Sequence, residues 1–220
     1  MSDKMEGIFF HDFKNSYIPN ILKEIYTDRI YDQFLLGRKD LVIADIGANI
    51  GLTAYYFKDY AARVYAVEPS RIHVNALYEM IEYNRIKNIF VLPFALGAQN
   101  MAVPLFHNTN KTMFSLDARL QGLPSETETV MSMNMETLMG LMSVSQIDFM
   151  KLDPEGAEGD IINSESFAKV CPQIKVIVGE LHAWSSLNKE QFKAKFESLG
   201  YKFTWISESD VHIYSAIYGK

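Results

Sequence analysis

The chain has one cysteine among its 220 residues, and this scarcity removes two classes of site. A single thiol cannot form an internal disulfide. Cys171 stands in a Val-Cys-Pro step just before an apolar run, where a small buried hydrophobe is expected. We therefore expect neither a disulfide framework nor a catalytic thiol.

The chain also lacks a basic cluster and a long apolar run. Its 21 Lys and Arg residues are outnumbered by 27 Asp and Glu residues, which disfavours duplex nucleic acid and anionic membrane as main partners. The longest apolar stretch contains Asp45, Asn49 and glycines, so no membrane helix is predicted. The first residues carry acids and no basic start, so no signal peptide is predicted and a cytoplasmic location is expected. No feature predicts an oligomeric state.

The composition that is present is that of an ordinary globular protein, with 48% hydrophobic and 22% charged residues. We expect a single domain over 1–220, with an N-terminal helical extension at 1–40 and an α/β core at 41–220. Apolar spacing predicts a helix over 18–36, broken near Thr27. This helix either covers one edge of the sheet, which we favour for most of its residues, or forms a lid with Tyr26 and Tyr31 facing a pocket.

The core begins with LVIADIGANIG at 41–51, an apolar run that ends in Asp45 and is followed by two glycines. This pattern is typical of a buried parallel strand and a tight turn into a helix. Gly47 and Gly51 allow positive φ angles and close approach of a ligand, and the next helix offers free N–H groups. The unit suits a nucleotide.

The same alternation of strand and helix continues along the chain and predicts a doubly wound parallel sheet. Ser70 is the expected N-cap of the second helix. Short strands at 101–106 and 127–134 are expected at the sheet margin, and Gly200 is expected to end the last helix. The remaining predicted segments are strands at 63–68, 88–96, 147–153 and 174–181, helices at 52–60, 70–84, 135–142 and 188–199, and a closing hairpin of 201–206 with 211–218.

Ionisable residues end the predicted central strands. They are Asp45, Glu68, Asp153, and Glu180 together with His182. In an open parallel sheet the carboxyl ends of the strands bind the ligand, so these side chains should meet around it. Within the apolar segment IDFMKLD, Lys151 is expected to pair with a neighbouring carboxylate.

The spacing of Gly47 and Glu68 bears on the ligand. Glu68 follows Gly47 by 21 residues, close to the spacing at which an acid meets ribose hydroxyls in dinucleotide folds. The turn reads G-A-N-I-G instead of G-x-G-x-x-G, which disfavours NAD and favours a nucleoside without phosphates. GxxxG alone is common in purely structural turns.

Three segments resemble the FkbM family of S-adenosylmethionine-dependent methyltransferases: DIGANIGLTAYYF (45–57), AVEPS (66–70) and IDFMKLDPEGAE (147–158). The resemblance spans roughly 41–182. It implies a Rossmann-like class I methyltransferase fold, with a seven-stranded, mostly parallel sheet, an antiparallel last strand and helices on both faces. It also implies S-adenosyl-L-methionine as the cofactor.

The resemblance further implies where the donor binds. The turn after the first strand would hold the methionine part, Glu68 the ribose, and the end of the third strand the adenine. The implied cofactor-binding residues are Asp45, Gly47, Ala48, Asn49, Gly51, Glu68, Pro69, Phe94 and Ala95. One departure is that Asp153-Pro154-Glu155-Gly156 stands where the family usually has Asp-Val-Glu-Gly, and Pro restricts Asp153 to an extended conformation.

A hydroxyl acceptor needs a base for its proton, and His182 is our first candidate, with Glu180 orienting or charge-balancing it. Asp153 and Glu155 compete for this role, and a purely structural His182 is the plain alternative. These types also suit a divalent ion, but the spacing is not diagnostic and no metal is predicted. The other histidines are expected to be surface or packing residues: His11, His73, His107 and His212.

We therefore predict an S-adenosylmethionine-dependent O-methyltransferase acting on a small molecule, such as a sugar or a natural-product intermediate. The alternatives are an N-methyltransferase, a non-catalytic donor-binding scaffold and, more weakly, a nicotinamide oxidoreductase. An N-methyltransferase would need no strong base.

Overall fold

The computed structural model describes residues 18–107, 114–115, 126–208 and 212–219, so residues 1–17 of the predicted extension lie outside the described part. The helices are α1 (Ile18–Lys23), α2 (Asp32–Leu35), α3 (Leu52–Phe57), α4 (Arg71–Tyr83), α5 (Met135–Met142), α6 (Glu158–Asn163), α7 (Glu165–Val170) and α8 (Lys189–Ser198). The strands are β1 (Leu41–Ile46), β2 (Ala61–Val67), β3 (Ile89–Leu92), β4 (Ala95–Leu96), β5 (Met101–His107), β6 (Phe114–Ser115), β7 (Glu126–Met133), β8 (Phe149–Leu152), β9 (Val176–Leu181), β10 (Tyr201–Glu208) and β11 (His212–Tyr218).

The main sheet has seven strands in the order β10-β11-β9-β8-β1-β2-β3. The five strands from β9 to β3 are parallel, and β11 runs antiparallel between β9 and β10. The predicted fold class is therefore confirmed, including the antiparallel last strand. The chain leaves β1 toward β2 on one side and later returns to β8 on the other, so the topological switch point lies at the carboxyl end of β1.

Apolar side chains cover both faces of this sheet, which explains the continuous hydrophobic runs of its central strands. One core layer includes Ile43, Phe57 and Phe149. The other includes Met150 and Phe167 and continues into the aromatic residues around α8. Burial on both faces leaves the strand ends as the place where polar side chains can reach a ligand.

The predicted third strand, 88–96, is wrong in its second half. The strand β3 ends at Leu92, and the chain turns at Pro93, where the N–H of Phe94 donates to the carbonyl of Leu92 at 2.9 Å. Because Pro93 has no N–H to donate to a ladder, the strand stops there. Ala95 and Leu96 then belong to β4 in a second sheet.

The strands predicted at the margin of the main sheet also lie in this second sheet, whose order is β4-β7-β5-β6. The strands β5 and β7 pair antiparallel, and β4 pairs parallel to β7 with Ala95 opposite Ser132. The second sheet therefore begins just after β3 and lies next to the carboxyl end of that strand.

The N-terminal segment is interrupted where the sequence predicts a break. The helix α1 passes into a π-helical segment, Glu24–Asp28, and Arg29 then has a φ of 54° before α2 begins. Tyr31 packs its ring against Phe57 and Phe149, with centroids 5.1 and 6.0 Å away. The segment thus lies over the face of the main sheet near the end of β1.

Two predicted helix boundaries are confirmed by their capping geometry. The hydroxyl of Ser70 accepts a hydrogen bond from the N–H of His73, and Gly200 has a φ of 92° just after α8. Across the described parts of the chain, every helix is too short or too polar to cross a bilayer.

Candidate active site

A cavity of about 400 Å³ opens at the carboxyl ends of β1, β2, β8 and β9. This size is within the range of small-molecule sites, and the position is the one expected for a ligand in an open α/β sheet. Its wall joins the strand ends to the N-terminal segment and the second sheet. Among its lining residues are Asn20, Ile21, Glu24, Tyr31, Gly47, Ala48, Asn49, Glu68, Pro69, His73, Ala95, Leu96, Lys151, Asp153, Pro154, Glu155, Glu180, His182 and Trp184.

The turn after β1 is held against both neighbouring strands. The N–H groups of Gly47 and Ala48 both donate to the carbonyl of Val67, at 3.0 and 3.1 Å. Gly47 has a φ of 73°, and a Cβ placed on it would lie 2.0 Å from the carbonyl oxygen of Asp153. Glycine is therefore required here because the turn touches the end of β8, which is a packing reason in addition to its positive φ.

Glu68 lies at the end of β2 with its carboxylate held by the backbone. Its Oε2 accepts the N–H of Asn49, and its Oε1 accepts the N–H of Ser70, both at 2.9 Å. His73 is buried beside it, with Nδ1 3.4 Å from Oε1. Each carboxylate oxygen has lone pairs left, so this rigid group can still accept hydrogen bonds from hydroxyl groups in the cavity.

His73 is buried, as expected of a packing residue, but it also lines the cavity beside Glu68. It is the third residue of α4, and from this first turn its ring reaches back to Glu68 at the end of β2. Among the other histidines, His212 packs against Trp205 with ring centroids 5.8 Å apart. His11 and the side chain of His107 lie outside the described part.

The predicted donor-binding residues divide into two groups. Gly47, Ala48, Asn49, Glu68, Pro69 and Ala95 line the cavity, whereas Asp45, Gly51 and Phe94 are buried and are not among its lining residues. Asp45 accepts a hydrogen bond from the hydroxyl of Thr53 at 2.7 Å, and burial raises its pKa. Asp45 still lies next to the lining, because its Oδ1 is 3.7 Å from Nζ of Lys151.

Lys151 is buried at the base of the cavity and pairs with carboxylates, as predicted. Its Nζ donates to Oδ2 of Asp153 at 3.0 Å and to the carbonyl of Gly47 at 3.1 Å, and it lies 3.7 Å from Oδ1 of Asp45. Burial lowers the pKa of Lys151, but Asp153 and Asp45 raise it by more, so the ammonium form is retained. It therefore ties the ends of β1 and β8 together.

His182 stands at the end of β9 among four carboxylates. Its Nδ1 is 2.7 Å from Oε1 of Glu158, and its Nε2 is 3.4 Å from Oε2 of Glu155. The same Nε2 is 3.8 Å from both Oδ1 of Asp153 and Oε2 of Glu180. Glu158, not Glu180, makes the short contact that orients the ring. Our candidates from the sequence were ionisable residues at strand ends and therefore did not include Glu158.

Glu158 could have been found from its sequence setting. It follows Pro-Glu-Gly-Ala, opens α6, and precedes Ile161 and Ile162 at the spacing that faces a core. An acid on the buried side of a short amphipathic helix requires a partner, and His182 is that partner.

The loop from Asp153 to Gly156 is bent at its centre. Glu155 has a φ of 53° and Gly156 a φ of 108°, and the N–H of Gly156 donates to Oε1 of Glu158 at 2.8 Å. A Cβ on Gly156 would meet the Trp184 ring at 2.4 Å. A glutamate in the left-handed region is uncommon and costs roughly 1 kcal/mol, so the surrounding contacts impose this conformation and aim Glu155 at the cavity.

The carboxylates in this cluster have altered acidity. Burial and the nearby Asp153 raise the pKa of Glu155 to about 7 and that of Glu180 to about 8. Burial lowers the pKa of His182, but the hydrogen bond to Glu158 and the other carboxylates raise it by more, to about 10.

The N-terminal segment contributes to the cavity more than we expected. Its lining residues include Asn20, Ile21, Glu24 and Tyr31. Burial and, to a smaller extent, the negative charge of Asp153 raise the pKa of Glu24. Tyr26 instead packs edge-to-face on Tyr56, with centroids 5.7 Å apart. The segment is thus part of the cavity wall as well as a cover for the sheet.

Comparison with known proteins is consistent with this architecture. A family model described as the methyltransferase FkbM domain matches residues 45–203. Comparison with curated proteins found no sequence match.

Several solved structures share the fold. Methyltransferase FkbM from Methylobacillus flagellatus KT has a TM-score of 0.59 at 14% identity, covering 82% of this chain and 44% of its own. Precorrin-6y C5,15-methyltransferase from Geobacter metallireducens GS-15 has a TM-score of 0.54 at 14% identity, covering 87% of each chain. A putative tRNA (m1A22) methyltransferase from Streptococcus pneumoniae has a TM-score of 0.51 at 9% identity, covering 88% of this chain and 71% of its own. The chain spans less than half the length of the Methylobacillus protein.

Proposed function

The chain belongs to the FkbM family of methyltransferases, and we propose that it transfers a methyl group from S-adenosylmethionine to a hydroxyl group of a small molecule. One observation carries the proposal. The backbone-held carboxylate of Glu68 and the cluster around His182 line the same cavity, at the switch point of the sheet.

The donor end is the part of the cavity near β1 and β2. The two ribose hydroxyls would donate to Glu68, whose oxygens are already oriented by the N–H groups of Asn49 and Ser70. The adenine would lie near Ala95, and the methionine part along the turn at Gly47. This orientation directs the sulfonium toward the acids at the ends of β8 and β9, which favour its positive charge.

The chemistry then requires alignment and a proton acceptor. The acceptor oxygen forms a bond to the methyl carbon as the carbon–sulfur bond breaks, and the electron pair of that bond leaves on sulfur as neutral S-adenosylhomocysteine. Holding the two reactants in line can supply several kcal/mol, up to roughly 10. We assign the released proton to the cluster of Asp153, Glu155, Glu180 and His182, which faces the cavity.

A second cavity of about 760 Å³ adjoins the first at Trp184 and is the proposed acceptor site. It lies between the second sheet and α6, and its polar lining includes Gln99, Asp160 and Asn163. Its lining among the described residues has no Lys or Arg, so a hydroxylated, uncharged acceptor such as a sugar fits better than a phosphate chain. This argues for a small molecule over a nucleic acid.

The test is calorimetric titration of S-adenosylmethionine and S-adenosylhomocysteine into the wild type, Glu68→Ala and Glu82→Ala. Glu82 is an exposed glutamate on α4 and serves as the control. Loss of hydrogen bonds to a carboxylate at about 1.5–3 kcal/mol predicts about 10- to 100-fold weaker binding for Glu68→Ala alone. Equal affinity in the three proteins would refute the donor site.

Acceptor type is tested separately by measuring S-adenosylhomocysteine formation with matched hydroxyl and amine compounds. We expect turnover with a hydroxyl compound and strong loss in Asp153→Asn. Turnover with amines alone would indicate an N-methyltransferase. Donor binding without turnover on any of the compounds would indicate a donor-binding scaffold.

A further inference from the structure

We propose that Asp153, Glu155 and His182 form a binding site for one divalent transition-metal ion at the β8–β9 end of the cavity. The three residues each offer one ligand atom, and these atoms lie within 4.8 Å of one another. All three side chains line the cavity, so an ion held between them would face the bound reactants. Binding of the ion does not depend on the proposed methyl transfer.

The distances around Nε2 of His182 fit shared coordination better than direct hydrogen bonding. Glu155 Oε2 is 3.4 Å away and Asp153 Oδ1 is 3.8 Å away, which is longer than a normal N–H···O bond. Adjacent ligands bound at about 2.0–2.2 Å to one ion are separated by about 3 to 4 Å. The two separations from Nε2 of His182 are therefore those expected of ligands that share one ion.

The surrounding contacts direct the ligand atoms into this gap. Glu158, whose side chain is fully buried, holds Nδ1 of His182 at 2.7 Å and so points Nε2 toward the cavity. The His182 side chain is only 4% exposed. The charged groups described near its Nε2 are the carboxylates of Asp153, Glu155 and Glu180. A carboxylate behind the imidazole is the usual support of a metal-bound histidine.

The two oxygens of Asp153 also differ: one is paired, and the other is available to an ion. Lys151 donates to Oδ2 at 3.0 Å, whereas Oδ1 is buried and has no hydrogen-bond partner among the described residues. A buried carboxylate oxygen without a partner is costly. An ion bound to Oδ1 would remove that cost without disturbing the Lys151 pair.

The charges of the cluster also favour a cation. The only lysine or arginine among the described residues that line the cavity is Lys151. Around it and His182 are five carboxylates: Asp45, Asp153, Glu155, Glu158 and Glu180. A divalent ion would offset this excess among side chains that are mostly buried.

The ligand set indicates the kind of ion. Two carboxylate oxygens with one imidazole nitrogen suit Mn²⁺ or Zn²⁺, whereas Ca²⁺ takes six to eight oxygen ligands. The remaining positions would face the cavity. If the proposed function is correct, the acceptor oxygen would bind there and lose its proton more readily.

The test is titration of Mn²⁺ into chelator-treated protein without donor or acceptor, followed by electron paramagnetic resonance of free Mn²⁺ and by calorimetry. We expect one site per chain with submillimolar affinity. Asp153→Asn and His182→Gln should weaken it at least about tenfold, and Glu158→Gln about 10- to 100-fold. Asp59→Asn, at a carboxylate that is 70% exposed, is the matched control and should bind as the wild type does.

Thermal unfolding in chelator checks that each variant is folded before its affinity is compared. Absence of saturable Mn²⁺ and Zn²⁺ binding in the wild type would overturn the inference, as would unchanged affinity in folded Asp153→Asn. Donor affinity measured in chelator separates the two proposals. Donor binding without ion binding would refute only the metal site, and ion binding without donor binding would refute only the proposed function.

Discussion

The two ends of the cavity differ in how their carboxylates are partnered. At the β2 end, both oxygens of Glu68 accept backbone N–H groups at 2.9 Å. At the β8–β9 end, Asp153, Glu155 and Glu180 approach one imidazole nitrogen at 3.4 to 3.8 Å. The first end is complete and ready to accept hydroxyl groups, whereas the second has an excess of negative charge. The difference indicates that the second end is built to receive positive charge, as a sulfonium, a proton or a metal ion.

The largest expected effect comes from removing Lys151, the buried cation at the β8–β9 end of the cavity. We call this the crowded end because its carboxylates lie close together. Lys151→Met would leave Asp45 and Asp153 without their shared ammonium, and breaking a buried pair in this way costs about 3–5 kcal/mol. The free energy of unfolding, measured in urea, should fall by that amount.

Lys175→Met is the control for this change. Lys175 pairs with Asp148 at 2.8 Å, but its side chain is 51% exposed, so its loss should cost less than about 1 kcal/mol. Equal losses in the two variants would contradict the contrast between the crowded end and the rest of the molecule.

The next largest effect tests the point where the two ends touch. Gly47→Ala places a Cβ 2.0 Å from the carbonyl oxygen of Asp153 at a φ of 73°. We expect a loss of about 3 kcal/mol in the free energy of unfolding, with weaker donor binding, because backbone must move. Gly140→Ala, in α5 with no atom within 4 Å, should be neutral or stabilising. Similar unfolding curves for the two variants would show that the contact is not needed.

The smallest effect concerns a well-partnered carboxylate far from the cavity. Asp148 accepts the N–H of Val42 at 3.0 Å and Nζ of Lys175 at 2.8 Å. Burial raises the pKa of Asp148, but these two donors lower it by more, so its pKa is below the usual value.

Because the folded-state pKa is depressed, Asp148 stabilises the fold above its unfolded-state pKa, and this contribution is lost as the pH falls through the folded-state value. Asp148→Asn should therefore cost about 1 kcal/mol at pH 7 and make the acid limb of a stability–pH curve shallower. An unchanged acid limb would contradict this, because it would show that the two donors to Asp148 do not make its carboxylate stabilise the fold.

Local patterns in the sequence predicted well which residues form the cavity wall at the ends of β1 and β2. The run of apolar residues to Asp45, the glycines of the turn and the acid at Glu68 are all contained in one strand-turn-helix-strand unit, so short-range rules apply. The seven-stranded sheet and its antiparallel last strand were predicted from the resemblance and are confirmed. The Ser70 cap followed from residue type alone.

Features that depend on distant contacts were missed. The second sheet joins β4 to β7, and nothing local to Ala95 indicates a partner at Ser132. Glu158 and His182 are 24 residues apart and meet only because α6 packs beside the end of β9. Their pairing arises from tertiary packing, which periodicity does not report.

A crystal structure of the protein with S-adenosylhomocysteine would show directly which end of the cavity holds the ribose and which end the sulfur faces. We expect both ribose hydroxyls within hydrogen-bond distance of Glu68, with sulfur facing the space between Asp153 and His182. A ribose away from Glu68, or a sulfur directed away from the β8–β9 end, would contradict the division of the cavity into a donor end and a charge-accepting end.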